Sequence, residues 1–311
     1  MADFLSHYLF GWEILPLMPK VAQKSINEYK SAFNWGLQGP DPLFFHSLIL
    51  GGTLHKYGNM MHNEKIDSLF YVFSRCINKL CDERQFIAEA YFYGFLCHYA
   101  LDSTLHPYVY YNQMKMKKQM PRLRDSSIHS RIESDIDYEL YKAKYKKPAT
   151  DFDVSKAYKT SGQEMAVMSV IFHIILKSVY NVDIKPNVIR SAFEQMYQTE
   201  KLLYSKNNTV YNSLKNIEKV LGKHSLTGHF KMHKPEWDSL NLNHEPWFNP
   251  WQPNVVRTES VPELFEKAGK QVSMLSAQYA GEFDAGWLLL HHFDEPFDNG
   301  NPKNKALKRL N

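Results

Sequence analysis

Residues 94–107 read Gly-Phe-Leu-Cys-His-Tyr-Ala-Leu-Asp-Ser-Thr-Leu-His-Pro, and they restrict the fold more tightly than any other stretch. Side chains four apart on a helix lie one turn above another on the same face, so His98, Asp102 and His106 form one stripe. The residues around that stripe, beginning at Ile87, are too apolar for a surface helix. Burying three ionisable side chains is costly unless something binds them. The pattern predicts a core helix over 85–106 that carries a metal site and is stopped by Pro107.

A second pair with the same spacing, His129 and Glu133, falls in the run Asp125–Tyr145, which opens with capping-type residues and continues as an amphipathic helix. Two helices that each bear a metal-type pair reinforce one another, because imidazole and carboxylate are the ligands zinc takes. Upstream stand His7, Asp41, His46, His55 and His62. Cys97 adjoins His98 but points to another side of the helix and belongs to the core. His46, His173, His224, His229, His233, His244, His291 and His292 fit no ligand pattern.

Strand signals are scarce. Apolar periodicity predicts helices over 18–33, 64–81, 162–180, 187–205, 209–221 and 260–280, with 162–180 and 187–205 forming a hairpin around Asn181–Pro186. Gly39-Pro-Asp-Pro42 and the basic run Met114–Lys118 read as loops. Residues 222–257, which carry Trp237, Trp247 and Trp251 without periodicity, read as a long loop wrapping the surface. The tail after Asp294 reads as frayed. The expectation is one all-α domain over 1–311, with a metal-site core at 1–145 and helices and a Trp-rich loop at 146–311. A net charge of +4 gives no reason to expect a nucleic-acid or membrane partner. The three cysteines read as free thiols. The absence of a signal-peptide pattern and of a charge-free apolar span points to a cytoplasmic chain.

The motifs, taken together, resemble the zinc-dependent phospholipase C family, whose all-helical fold is shared with secreted single-strand nucleases. The matching phrases are Ser6-His-Tyr-Leu-Phe-Gly11, Gly39-Pro-Asp-Pro-Leu-Phe-Phe45, Gly58-Asn-Met-Met-His62, Gly94–Pro107 and His129-Ser-Arg-Ile-Glu133. Trp247-Phe-Asn-Pro-Trp251 and Ser260-Val-Pro-Glu-Leu-Phe265 resemble the unsecreted bacterial branch. The resemblance implies two to three zinc ions. One would be held by His62, His98 and Asp102 with Asp41 beside it, and a second by His106, His129 and Glu133. A third would share Asp102 and take His7, with the amine of Ala2 as a further ligand once Met1 is removed. His55, fourteen residues after Asp41, stays an alternative to His62.

The implied activity is hydrolysis of a phosphodiester, with a phospholipid headgroup as substrate and transient contact with a membrane surface. Asp41 would orient or deprotonate the attacking water. Single-strand nuclease action is the alternative within the enzyme class, with Phe44, Phe45, Tyr108, Tyr110 and Tyr111 available for stacking on bases. A non-catalytic zinc-bound scaffold is the alternative outside it. No His-Asp dipeptide of a metal phosphohydrolase and no Glu-x-x-His pair of a di-iron bundle occurs in the chain.

Overall fold

The long helix expected at 85–106 is the axis of the fold, and it is longer than its sequence suggests. In the computed structural model, which describes residues 4–47, 54–204 and 234–282, it runs from Asp82 to Gln119 as α7. Before it come α1 (Phe4–Ile14), α2 (Lys20–Glu28), α3 (Lys30–Gly36), α4 (Pro42–Phe45), α5 (His55–Asn63) and α6 (Ile66–Ile77). After it come α8 (Asp125–Tyr145), α9 (Val154–Tyr158), α10 (Gly162–Tyr180) and α11 (Pro186–Leu203), and Val261–Glu282, here α12. The all-α expectation is met. The one departure among the described residues is an antiparallel pair of two-residue strands, β1 (Trp247–Phe248) and β2 (Val256–Arg257).

Every residue of α7 from Ile87 to Val109 is buried. A helix apolar on all sides needs neighbours on all sides, and α3 and α12 supply the largest shares, joined by α8, α2, α10, α1 and α6. The approach of α3 depends on two glycines. A Cβ on Gly94 would lie 2.2 Å from the Phe33 carbonyl oxygen, and one on Gly36 would lie 2.2 Å from that of Tyr91. Without side chains there, the two backbones pack directly against each other. On the α6 side, Phe73 meets Phe92 and Phe95 edge-on at 5.2 and 5.7 Å between ring centres, a favoured aromatic geometry.

Pro107 does not stop the helix, and Met114–Lys118 is helical rather than a loop. An interior proline costs about 3 kcal/mol in hydrogen bonding and sterics. Here the side chains just beyond it are held by packing: Tyr108 meets Trp247 at 5.4 Å, Tyr110 meets Trp251 at 5.2 Å and Tyr111 meets Phe248 at 4.9 Å. Tertiary burial on both sides of Pro107 outweighs the local penalty. The expected helix at 18–33 is in fact two, α2 and α3, separated at Tyr29 (φ −118°, ψ 58°).

The hairpin of α10 and α11 forms as expected. Ser161 and Glu164 make a reciprocal capping box at its start, Asn181 leaves α10 in a left-handed conformation, and Pro186 opens α11. By length and composition α10 could cross a membrane, but half of that stretch is buried inside the protein, and it packs on α11, α6 and α7. The described part of the Trp-rich loop wraps the second half of α7. Trp247 is buried there, and the Trp237 indole donates to Asp135 Oδ2 at 2.7 Å. The expected helix at 209–221, residues 222–233 of the loop, the tail after Asp294, and His224, His229, His233, His291 and His292 lie outside the described residues.

Candidate metal centre

Five elements bring ligand-type side chains to one buried place. The α7 stripe presents His98, Asp102 and His106, and α8 presents His129 and Glu133. His7 comes from the second turn of α1, Asp41 from the turn between α3 and α4, and His62 from the last turn of α5. That turn is built from successive bonds, Gly39 N–H to Gly36 O and Asp41 N–H to Gln38 O, with Gly39 at φ +48°. A Cβ at Gly39 would lie 2.2 Å from His98 Cδ2, so the absent side chain is what gives the imidazole its place.

The Asp102 carboxylate is central. Its Oδ1 lies 3.1 Å from His7 Nε2 and 3.5 Å from His106 Nε2, and its Oδ2 lies 3.2 Å from His98 Nε2 and 3.9 Å from His62 Nε2. Asp41 Oδ1 is 3.2 Å from His62 Nε2. Glu133 Oε1 is 3.0 Å from His129 Nε2 and 3.4 Å from His106 Nε2. These atoms form three buried groups, His7–His98–Asp102, Asp41–His62–His98 and His106–His129–Glu133, each with ligand atoms within 4.8 Å of one another. At zinc–ligand bonds of about 2.1 Å and tetrahedral angles, two ligands of one ion stand roughly 3.4 Å apart. The observed separations cluster around that value.

Outer contacts orient the rings. His98 Nδ1 lies 3.1 Å from Leu37 O, His62 Nδ1 lies 2.8 Å from Gly58 O, and His129 Nδ1 lies 2.7 Å from Gln113 Oε1. A ring that donates from Nδ1 turns the lone pair of Nε2 inward, the arrangement typical of metal-binding histidines. Both ring nitrogens of His7, Asp41 Oδ1 and both oxygens of Asp102 are buried without a hydrogen-bond partner. Such atoms each cost about 1–3 kcal/mol when nothing satisfies them. Zinc bound at these atoms would satisfy them, and the donor chemistry fits zinc.

Protonation points the same way. Burial alone would raise the Asp102 carboxyl, but the imidazoles of His106, His98 and His7 outweigh it and hold it well below the ordinary range. Burial opposes ionisation of Glu133 as well, and His129 overcomes it. Burial lowers His129 against the pull of Glu133. The anionic carboxylate is the form that metals bind.

All eight ligand candidates are therefore gathered, with one adjustment. His98 shares a group with Asp41 and His62 and another with His7 and Asp102. His55 sits at the exposed start of α5, edge-on to Phe44, and joins none of the groups. His173 and His244 direct Nδ1 at the carbonyls of Ile184 and Thr258. Cys97 is buried, and burial raises its thiol well above the usual range, as suits a core residue.

Sequence reasoning passed over Asp137, which is fully buried four residues after Glu133. Its oxygens accept the Leu5 N–H at 3.0 Å, the Ser6 N–H at 2.7 Å, the Ser6 hydroxyl and the Tyr204 hydroxyl at 3.1 Å. Burial pushes its carboxyl up to about 7 against the pull of those donors. The available signal was spacing, since His129, Glu133 and Asp137 continue one stripe.

Residues 6–182, more than half of the chain and the span that holds all eight ligand candidates, match the family model described as zinc dependent phospholipase C. No curated protein and no solved structure matches the chain.

Proposed function

Because the chain belongs to the zinc-dependent phospholipase C family, we propose that it hydrolyses a phosphodiester at this centre, with a phospholipid as substrate. The observation that carries the reading is the convergence of eight buried ligand-type side chains with oriented imidazoles and orphaned carboxylate oxygens. His62, His98, Asp102, His7, His106, His129 and Glu133 would hold two to three zinc ions, with Asp41 at the side of His62. Bound there, zinc supplies Lewis acidity, which activates water near neutral pH and offsets charge on phosphoryl oxygens.

The chain's own residues do the rest. Asp41 Oδ1 accepts no hydrogen bond and faces the cluster beside His62, so it is free to take the proton of the attacking water. Its position is rigid, because the Gly39 turn holds it and Pro40 and Pro42 restrict the chain on either side. Burial of Asp102 and His98 excludes bulk water and strengthens every charge interaction in the site.

Among the aromatics considered for base stacking, Phe44 packs against His55 and His62, and Tyr108, Tyr110 and Tyr111 pack against Trp247, Trp251 and Phe248. Faces already committed to internal packing favour a lipid phosphodiester over single-stranded nucleic acid. The test is a zinc-dependent turnover assay on phospholipids, a phosphodiester reporter and single-stranded nucleic acid, with Asp41→Asn beside the wild type. Asp41→Asn is expected to retain most of its zinc and lose about 10²–10⁴ in turnover. Turnover at the wild-type rate would remove Asp41 from the mechanism. A fully zinc-loaded wild type that cleaves no phosphodiester would move the scaffold reading ahead.

A further inference from the structure

The ligand His7 lies only three residues inside α1, on a part of the helix that ordinarily has little to hold it. The first four N–H groups of any helix lack an intrahelical acceptor, and a side chain just before the helix commonly takes one of them. In α1 the second and third of these N–H groups are taken by a residue far along the chain. Asp137 takes the Leu5 and Ser6 N–H groups on its two oxygens and the Ser6 hydroxyl as well, and the Tyr204 hydroxyl fixes it from behind. A carboxylate at a helix N-terminus also meets the positive end of the helix dipole.

The helix that supplies Asp137 is α8, which carries Glu133 one turn and His129 two turns earlier on the same stripe. The residue directly after Ser6 is His7, whose Nε2 stands 3.1 Å from Asp102 Oδ1 and whose ring stacks on His98 at 4.3 Å. Metal sites tolerate ligand displacements of only about 0.2 Å, so whatever fixes the axial position and rotation of α1 fixes that ligand. From this geometry we infer that Asp137 is a positioning residue: it ties the start of α1 to α8 so that His7 meets the ion it shares with Asp102 and His98. One stripe of α8 then serves two ions, one through His129 and Glu133 directly and one through the handle on α1. The inference rests on the reading of His7 as a zinc ligand.

The experiment measures zinc per chain and zinc affinity by chelator competition, on the full-length zinc-loaded protein and its Asp137→Asn variant. Asparagine keeps the size but turns an amide N–H toward donors that need an acceptor. Affinity at one site is expected to fall about 10–100-fold, the range for outer groups that orient a ligand, with the remaining ions held as in the wild type. Ser6→Ala, which removes only the hydroxyl, should show the same selective loss to a smaller degree and covers the case in which Asp137→Asn does not fold. Adding Asp137→Asn to His7→Ala should cost no further zinc, because both act on one site.

Asn34→Ala is the control for a purely structural effect. Asn34 is buried and accepts the Trp12 indole of the same helix α1, two turns beyond its start. Zinc loss in Asn34→Ala equal to that in Asp137→Asn would reduce Asp137 to a stabilising residue and overturn the inference, as would wild-type affinity in Asp137→Asn. A wild type that binds no zinc would instead overturn the metal reading on which it rests.

Discussion

Removal of metal should lower the melting temperature by an amount that counts the ions, and variants should change that amount according to how many ligand groups each side chain enters. A ligand held at a thousand times its dissociation constant stabilises the native state by about 4 kcal/mol. Unfolding entropy of about 2.1 cal/mol/K per residue gives about 0.65 kcal/mol/K for a chain of 311 residues. Each ion is then worth about 6 °C, and three ions about 18 °C, between zinc-saturated and chelated protein. His129 enters one group, so His129→Ala should reduce the difference to about 12 °C. Asp102 enters the His7 group and also places Oδ2 3.2 Å from His98 and 3.9 Å from His62. Asp102→Asn should therefore leave only about 6 °C, the share of the His106–His129–Glu133 ion. Scanning calorimetry of each protein in excess zinc and in excess chelator gives the difference free of any metal-independent effect of the substitution. Coincident melts for the wild type would refute the metal centre. A larger loss in His129→Ala than in Asp102→Asn would refute the central place given to Asp102.

Two further outcomes follow from the surroundings of the site. Gly39→Ala combines a residue at φ +48° with a Cβ 2.2 Å from the His98 ring, and should cost about 2–5 kcal/mol in urea unfolding together with zinc from the His98 groups. Gly162→Ala, whose Cβ would meet nothing within 4 Å, should leave both unchanged or slightly improved. Asp135 has its carboxyl raised to about 6, chiefly by burial, with the Trp237 indole opposing. A folded-state value above the unfolded one adds stability that is fully present below pH ~4 and lost as pH rises through ~6, about 3 kcal/mol in all. The gap in unfolding free energy between wild type and Asp135→Asn should shift by that amount toward the variant from pH 4 to pH 7. A gap that stays constant across this range would show that Asp135 is not desolvated as the structure has it.

The parts of this site that could be read from the sequence are those a single helix writes into its own periodicity. His98, Asp102 and His106 are four apart, as are His129 and Glu133, and an apolar setting makes such stripes conspicuous before any neighbour is known. His7, Asp41 and His62 sit on three other elements with no shared period, and only family phrases such as Gly58-Asn-Met-Met-His62 joined them to the stripe. Asp137 has the same spacing signal as Glu133 and was still missed, because its partners are the Leu5 and Ser6 N–H groups and the Ser6 and Tyr204 hydroxyls, a set that no pattern of side-chain types announces. At Gly39 the sequence indicates a turn, but the reason the turn must lack a side chain is the His98 ring, 59 residues further along.

Pro107 shows how a correct local rule yields to packing that the sequence does not display. The rule prices an interior proline at about 3 kcal/mol, and a stop at residue 106 would follow if the turns beyond it had nothing to bury. They have Tyr108, Tyr110 and Tyr111, and a loop more than 130 residues later brings Trp247, Phe248 and Trp251 to meet them. Fully burying a large side chain stabilises by about 1.5–3 kcal/mol, so the buried pair of Tyr108 and Trp247 suffices to carry the helix through. The described part of the Trp-rich segment thus acts on the centre although none of its residues joins a ligand group. It braces the half of α7 that follows His106, and Tyr110, seated against Trp251, also lies against His106 and His129. The strongest ligand signal in the chain and its least periodic stretch therefore meet at one ring, that of Tyr110.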